Sequence, residues 1–211
     1  MPPAFFASRA TTLNARVAAV AFAIGAFMTL VLSHTAVPLA PLRMLTLAVA
    51  AFAAWAFTDE MGVRKPLNRA GLIFFAIAAF AKIQVALGVD AAVRGRYLLA
   101  YAGFLLLAVL CWSLAFLHRQ RELKVAGAVG LLVAAAPLAA IVVGHLAVGL
   151  GVAFGVSGLL AAAQGDAAAD TGFVTIVERI FGLWAYVAAW LLWRGHIVDA
   201  PRYGLNAKPA G

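Results

Sequence analysis

The chain has 211 residues, of which 65% are hydrophobic and 11% are charged, and its mean hydropathy is +1.00. Soluble domains are about 45–50% apolar and about 25% charged, so this composition excludes an ordinary soluble fold. It predicts one integral membrane helical domain over residues 1–211. The net charge of +8 does not indicate a nucleic-acid partner, because the basic residues stand in short loops beside apolar runs. Membrane lipids are the predicted partners.

The apolar runs predict an all-α, polytopic transmembrane helix bundle. A bilayer-spanning helix needs about 20 mostly apolar residues, and the chain has room for six or seven such helices. The six predicted spans cover about residues 17–33, 42–58, 70–88, 97–117, 125–147 and 173–193. The first run is longer than the apolar part of a signal peptide, so we expect an uncleaved span. The seven-span alternative arises from run 125–163, which as one helix would be about 58 Å long against a hydrocarbon core of about 30 Å.

The distribution of Lys and Arg favours six spans. With a cytoplasmic N-terminus, six spans place eleven basic loop residues on the cytoplasmic side and leave Arg43, Arg94 and Arg96 outside. Seven spans give eight against six, a weaker bias than the positive-inside rule produces. We therefore expect a multi-pass protein of a cell inner membrane with both termini in the cytoplasm. The Ala- and Arg-rich composition is compatible with a bacterium of high GC content.

The last span contains the residues that most need an explanation, Glu178 and Arg179, in an otherwise apolar run. In the six-span arrangement they lie about 9–10 Å from the outer end of that span. Lys82 lies at about the same depth in the third span, which runs in the opposite direction. Opposite charges at matched depth are expected to pair, because an unpaired charge inside a membrane is costly. The sequence therefore predicts an ion pair between Lys82 and Glu178.

Further polar residues are predicted on the same outer side. The predicted ligand-binding residues are Lys82, Gln84, His145, Glu178 and Arg179. A haem would need a second buried histidine at the depth of His145, and the single cysteine, Cys111, excludes a multi-cysteine metal site, so no metal or cofactor is predicted. The same charges have a simpler interpretation, in which the ion pair fixes the helix register and the long side chains reach toward the headgroups.

Two patterns point to other functions. Gly144, Gly151, Gly155 and Gly158 share one helical face, and this favours close packing within the chain, in a homo-oligomer or against a membrane partner. Residues 155–158 read Gly-Val-Ser-Gly and resemble the G-x-S-G nucleophile motif of rhomboid intramembrane proteases. No later span carries the histidine that would activate Ser157.

The last span is similar, in its Gly172-x5-Glu178-Arg179 pattern followed by tryptophans, to the last helix of a class of small six-span bacterial inner-membrane proteins of unknown function. The resemblance implies a six-helix bundle and no particular activity. The function predicted first is non-enzymatic: binding of a lipid or small apolar ligand, or action as a small transporter or partner subunit. The alternatives are a membrane-embedded enzyme, using Ser157 as nucleophile or His145 or Glu178 as general base, and a structural subunit of a larger membrane complex.

Overall fold

The computed structural model describes residues 13–32, 40–61, 65–117, 121–149, 167–195 and 197. These residues form six α-helices, and no strand occurs among them. The helices are α1 (Leu13–Leu32), α2 (Ala40–Met61), α3 (Pro66–Ala86), α4 (Ala91–Leu117), α5 (Arg121–Gly149) and α6 (Ala167–Trp193). The prediction of an all-helical fold is therefore confirmed for this part of the chain.

Each predicted span overlaps one of these helices. Among the residues whose side chains the structure describes, three segments are long and apolar enough to cross a membrane: Pro66–Ala86, Val93–Leu117 and Phe173–Trp193. The apolar segments described in the other three helices, Ala15–Leu30, Leu45–Asp59 and Leu123–Ala139, are shorter because the residues that flank them lie outside the described side chains. The structure thus agrees with a membrane protein and identifies three candidate spans.

A tight turn sets α3 and α4 side by side in opposite directions. Gly88 has a φ of +84°, in the left-handed region that favours glycine, and its N–H donates to the carbonyl of Val85 at 3.3 Å. The carbonyl of Asp90 then accepts hydrogen bonds from the N–H groups of Val93 and Arg94 and starts α4. This turn brings the last part of α3 next to the first part of α4, where the candidate site lies.

The remaining helices pack around this pair. α4 contacts α3, α5 and α6, and α1 contacts both α2 and α6. α1 and α6 run in opposite directions, because the guanidinium of Arg16 near the start of α1 lies 5.8 Å from the centre of the Trp193 ring at the end of α6. Asn68 near the start of α3 donates to the carbonyl of Met61 at the end of α2 at 2.9 Å. We call the end of the bundle that holds Arg16, Met61 and Trp193 the basic end, and the end at Gly88 the opposite end.

An aromatic core joins the helices in the basic half of the bundle. The rings of Trp112 and Trp184 stack at 5.5 Å with an interplanar angle of 12°. Phe57 packs edge-on against both tryptophans, at 5.4 and 5.7 Å, within the range that favours aromatic pairs. Trp184 is only 7% exposed, so this tryptophan serves packing. Trp190 and Trp193 are exposed near the end of α6.

Two glycines let the helices approach closely beside this core. A Cβ atom at Gly71 of α3 would lie 2.5 Å from Nε1 of Trp112, and one at Gly130 of α5 would lie 2.2 Å from Oγ of Ser113. Both distances are far shorter than carbon atoms permit, so a larger residue at either position would force the Trp112 or Ser113 side chain of α4 to shift. The sequence pattern predicts close packing at a different set of glycines: Gly144, Gly151, Gly155 and Gly158. Of that set, Gly144 lies within α5, and Gly151, Gly155 and Gly158 lie outside the described residues.

Candidate functional site

The predicted ion pair between Lys82 and Glu178 is present. Nζ of Lys82 on α3 lies 2.7 Å from Oε1 of Glu178 on α6, within hydrogen-bond distance. The two side chains are 28% and 15% exposed. Both helices contain candidate membrane spans, and Lys82 lies about 6 Å along the axis from the end of its helix. The pair is therefore half-buried and lies near the end of α3.

Tyr101 on α4 completes the arrangement. Its hydroxyl donates to the same oxygen of Glu178, Oε1, at 3.1 Å. Nζ of Lys82 also lies 4.6 Å from the centre of the Tyr101 ring, close enough for a cation–π interaction. Tyr101 is 8% exposed, so its ring forms the buried wall behind the ion pair. We call Lys82, Tyr101 and Glu178 the Lys–Glu–Tyr cluster.

Tyr101 was missed by sequence reasoning, although a signal for it existed. Tyr101 lies eight residues into the candidate span Val93–Leu117, and a phenol hydroxyl buried in an apolar helix needs a hydrogen-bond partner. The depth argument that matched Lys82 with Glu178 would have placed this hydroxyl within one or two helical turns of them. The depth argument pairs opposite charges, and Tyr101 carries no charge, so the argument did not include it.

The cluster leaves hydrogen-bonding capacity on the carboxylate. Both donors bind Oε1 of Glu178, and within the described residues Oε2 accepts no hydrogen bond. A carboxylate can accept about four hydrogen bonds and an ammonium group can donate three. Because both charged side chains are partly exposed, the cluster can offer an acceptor and a cationic donor to the same outside molecule.

The other predicted site residues do not extend this cluster. Gln84 is half-buried but lies two residues beyond Lys82, about 200° around the axis of α3, and no hydrogen bond joins it to the cluster residues. Arg179 is exposed on α6, one residue beyond Glu178. The backbone of His145 lies in α5, but its side chain lies outside the described set, and Ser157 lies outside it altogether. No group of three metal-ligating side chains occurs among the residues that the structure describes.

Comparisons with known proteins found no family model that matches this chain, and no curated protein or solved structure that matches it. The molecule is therefore defined by its own features. It is an α-helical bundle with three helices apolar enough to cross a membrane and a half-buried ion pair braced by a tyrosine. The resemblance of the last span to six-span inner-membrane proteins stays a prediction.

Proposed function

We propose that this protein is a non-enzymatic multi-pass membrane protein that binds the polar headgroup of a lipid or similar amphipathic molecule at the Lys–Glu–Tyr cluster. The observation that supports this best is the partial exposure of both charges, 28% for Lys82 and 15% for Glu178. Both charges keep part of their surface exposed, so a polar group of an outside molecule can reach them.

The ligand class follows from the donors and acceptors. Oε2 of Glu178 would accept hydrogen bonds from a primary ammonium or a hydroxyl, and Lys82 would donate to a phosphate. A phosphoethanolamine headgroup carries both groups a few bonds apart. A phosphocholine headgroup carries the phosphate but no N–H donor, so it would lose the contact with Glu178. We therefore propose a preference for headgroups that combine an N–H or O–H donor with an anion.

The depth of the cluster agrees with this ligand. Glu178 lies five residues inside the candidate span Phe173–Trp193, about 7.5 Å along the helix, and amphipathic molecules place their polar groups near this boundary. The aromatic core lies further toward the basic end, and the apolar helix faces around the cluster suit the acyl chains. The headgroup would meet the charges while its chains stay in the hydrocarbon.

The proposed topology has six spans, both termini in the cytoplasm and the cluster in the outer leaflet of an inner membrane. It is supported by the exposed Lys65 and Arg69 at the start of α3 and Lys124 at the start of α5, which belong to the basic end, as Arg16 and Arg194 do. A reporter fused after Gly211 tests it. Activity of a reporter that works only in the cytoplasm is expected, and activity of a periplasmic reporter would overturn the six-span arrangement.

A binding experiment tests the function. Purified protein is exposed to phosphatidylethanolamine or phosphatidylcholine with identical acyl chains, and bound lipid is counted by native mass spectrometry. The wild type is expected to retain phosphatidylethanolamine preferentially, and the double variant Lys82→Met, Glu178→Leu is expected to lose that preference. Arg94→Gln is the matched control, since Arg94 is exposed near the same end of the bundle but outside the cluster. Equal retention of both lipids by the wild type would refute the proposal.

A further inference from the structure

A second feature lies on the other side of the molecule, in the basic half. A surface groove of about 600 Å³ runs along α1, beside α2 and the end of α6. Its volume falls in the range of small-molecule sites, about 300–1,000 Å³. None of the residues that line it belongs to the Lys–Glu–Tyr cluster.

The walls of the groove are almost wholly apolar. On α1, four of its residues recur at spacings of three and four, so they form one continuous stripe: Val17, Val20, Ala21 and Ile24. The facing wall comes from Ala48, Val49 and Phe52 of α2. The α1 stripe extends about 10 Å along the helix axis. This shape fits a straight hydrocarbon chain that lies parallel to α1.

One end of the groove is different, because a cation and an indole meet there. Arg16 and Trp193 complete the lining, with the guanidinium 5.8 Å from the centre of the Trp193 ring. Both side chains are exposed. Stacking on the indole holds the guanidinium at the mouth of the groove, and arginine binds phosphate through two parallel hydrogen bonds. Tryptophan and arginine together are typical of the membrane–water interface.

We propose that this groove binds an anionic phospholipid, with one acyl chain along the α1 stripe and the phosphate at Arg16. The occupant is argued from charge complementarity. Among the described residues that line the groove, the single charged one is a cation, Arg16, and it lies at the basic end of the bundle. A zwitterionic lipid gains less there, because its own cationic group lies beside Arg16. The site uses none of the residues of the Lys–Glu–Tyr cluster, so it stands whether or not that cluster binds a headgroup.

Arg194 provides a matched control for Arg16. Its guanidinium lies 5.9 Å from the centre of the Trp190 ring, so the same residue types make the same cation–π contact at the same end of the bundle. Arg194 and Trp190 do not line the groove. Removal of either arginine changes the net charge equally, and only removal of Arg16 changes the groove.

The test uses the full-length protein with phosphatidylglycerol and phosphatidylcholine of matched acyl chains, counted by native mass spectrometry. Arg16→Gln is expected to lower phosphatidylglycerol affinity about fivefold, the effect of one basic residue near an anionic surface. Arg194→Gln is expected to leave it unchanged. Val20→Trp, which fills the groove at an exposed position, is expected to abolish binding of this lipid.

Three outcomes would overturn the proposal. An equal loss in Arg16→Gln and Arg194→Gln would mean that the basic end attracts anionic lipid without a defined site. Unchanged binding in Val20→Trp would mean that no acyl chain occupies the groove. Equal affinity of the wild type for the two lipids would show that the groove does not prefer a headgroup with a net negative charge, which is the basis of the proposal. The double variant Lys82→Met, Glu178→Leu separates the two sites, because it should remove the preference for phosphatidylethanolamine over phosphatidylcholine and leave the roughly fivefold effect of Arg16→Gln on phosphatidylglycerol affinity unchanged.

Discussion

The aromatic core and the Lys–Glu–Tyr cluster both join helices that are distant in sequence, but they do so by opposite means. The core, centred on Trp112 and Trp184, is closed. Trp112 has no exposed surface, and its ring packs so closely against Gly71 that a Cβ atom there would clash with it. The cluster holds its helices through two charges that keep part of their surface exposed. The aromatic core alone can hold these helices together, and the partial exposure of the two charges is the feature from which the proposed headgroup site is argued.

Breaking the ion pair at one partner should give the largest effect. Glu178→Leu leaves Lys82 charged and without its carboxylate. Such changes cost about 3–5 kcal/mol in a fully buried pair, and the partial exposure of Lys82 places the expected cost toward the lower end of that range. We expect a large loss of thermal stability in detergent and lower protein levels in the membrane. Lys82→Met should behave in the same way. Melting temperatures by intrinsic tryptophan fluorescence provide the measurement.

The double variant sharpens this experiment. With both charges removed, Lys82→Met, Glu178→Leu should recover most of the stability, because neither charge is left unpaired. The exchange Lys82→Glu, Glu178→Lys should restore part of it. If the losses of the single variants simply add in the double variant, the two side chains do not stabilise the protein as a pair.

The packing of the aromatic core can be disrupted by adding one methyl group at Gly71. Gly71→Ala places a Cβ 2.5 Å from Nε1 and 2.8 Å from Cδ1 of the Trp112 ring, which is fully buried, so the ring must shift. Overpacking of this kind costs about 1–3 kcal/mol. The control is Gly103→Ala on α4, where a Cβ would meet nothing within 4 Å. We expect that control to melt at or above the wild-type temperature, and equal melting of the two variants would contradict the packing described.

The sequence predicted the part of this structure that follows from periodicity and charge. Long apolar runs predicted the helices, and the depth of Lys82 and Glu178 predicted their contact, because few arrangements leave a membrane charge unpaired. The contacts made by Tyr101, Gly71 and Gly130 could not be predicted in the same way. Their roles depend on the rotation of each helix about its axis, and apolar residues surround most of these helices on all sides. A pattern without a polar face does not indicate which side of a helix points inward.

Within the cluster, the tyrosine hydroxyl can be separated from its ring. Tyr101→Phe removes the hydrogen bond to Oε1 of Glu178 but keeps the ring 4.6 Å from Nζ of Lys82. A hydrogen bond to a charged group contributes about 1.5–3 kcal/mol, so a moderate loss of stability is expected, smaller than that of Glu178→Leu. Tyr186→Phe is the control, because Tyr186 is exposed on the same helix as Glu178. Equal effects of the two substitutions would show that the hydroxyl of Tyr101 does not brace the carboxylate.

The smallest expected effect has the opposite sign and concerns a polar atom inside the core. Oγ of Ser113 is buried on α4 and has no hydrogen-bond partner among the described residues, and it lies where a Cβ at Gly130 would be. A buried hydroxyl without a partner is a cost, so Ser113→Ala should leave stability unchanged or raise it by about 1 kcal/mol. It should also make Gly130→Ala less harmful, because the nearest atom to the new Cβ is gone. Melting curves of the two single variants and the double variant measure this coupling. A clear loss of stability in Ser113→Ala would instead mean that the Ser113 hydroxyl makes a hydrogen bond when the protein is in the membrane. The contrast between the closed aromatic core and the partly exposed Lys–Glu–Tyr cluster would then be weaker.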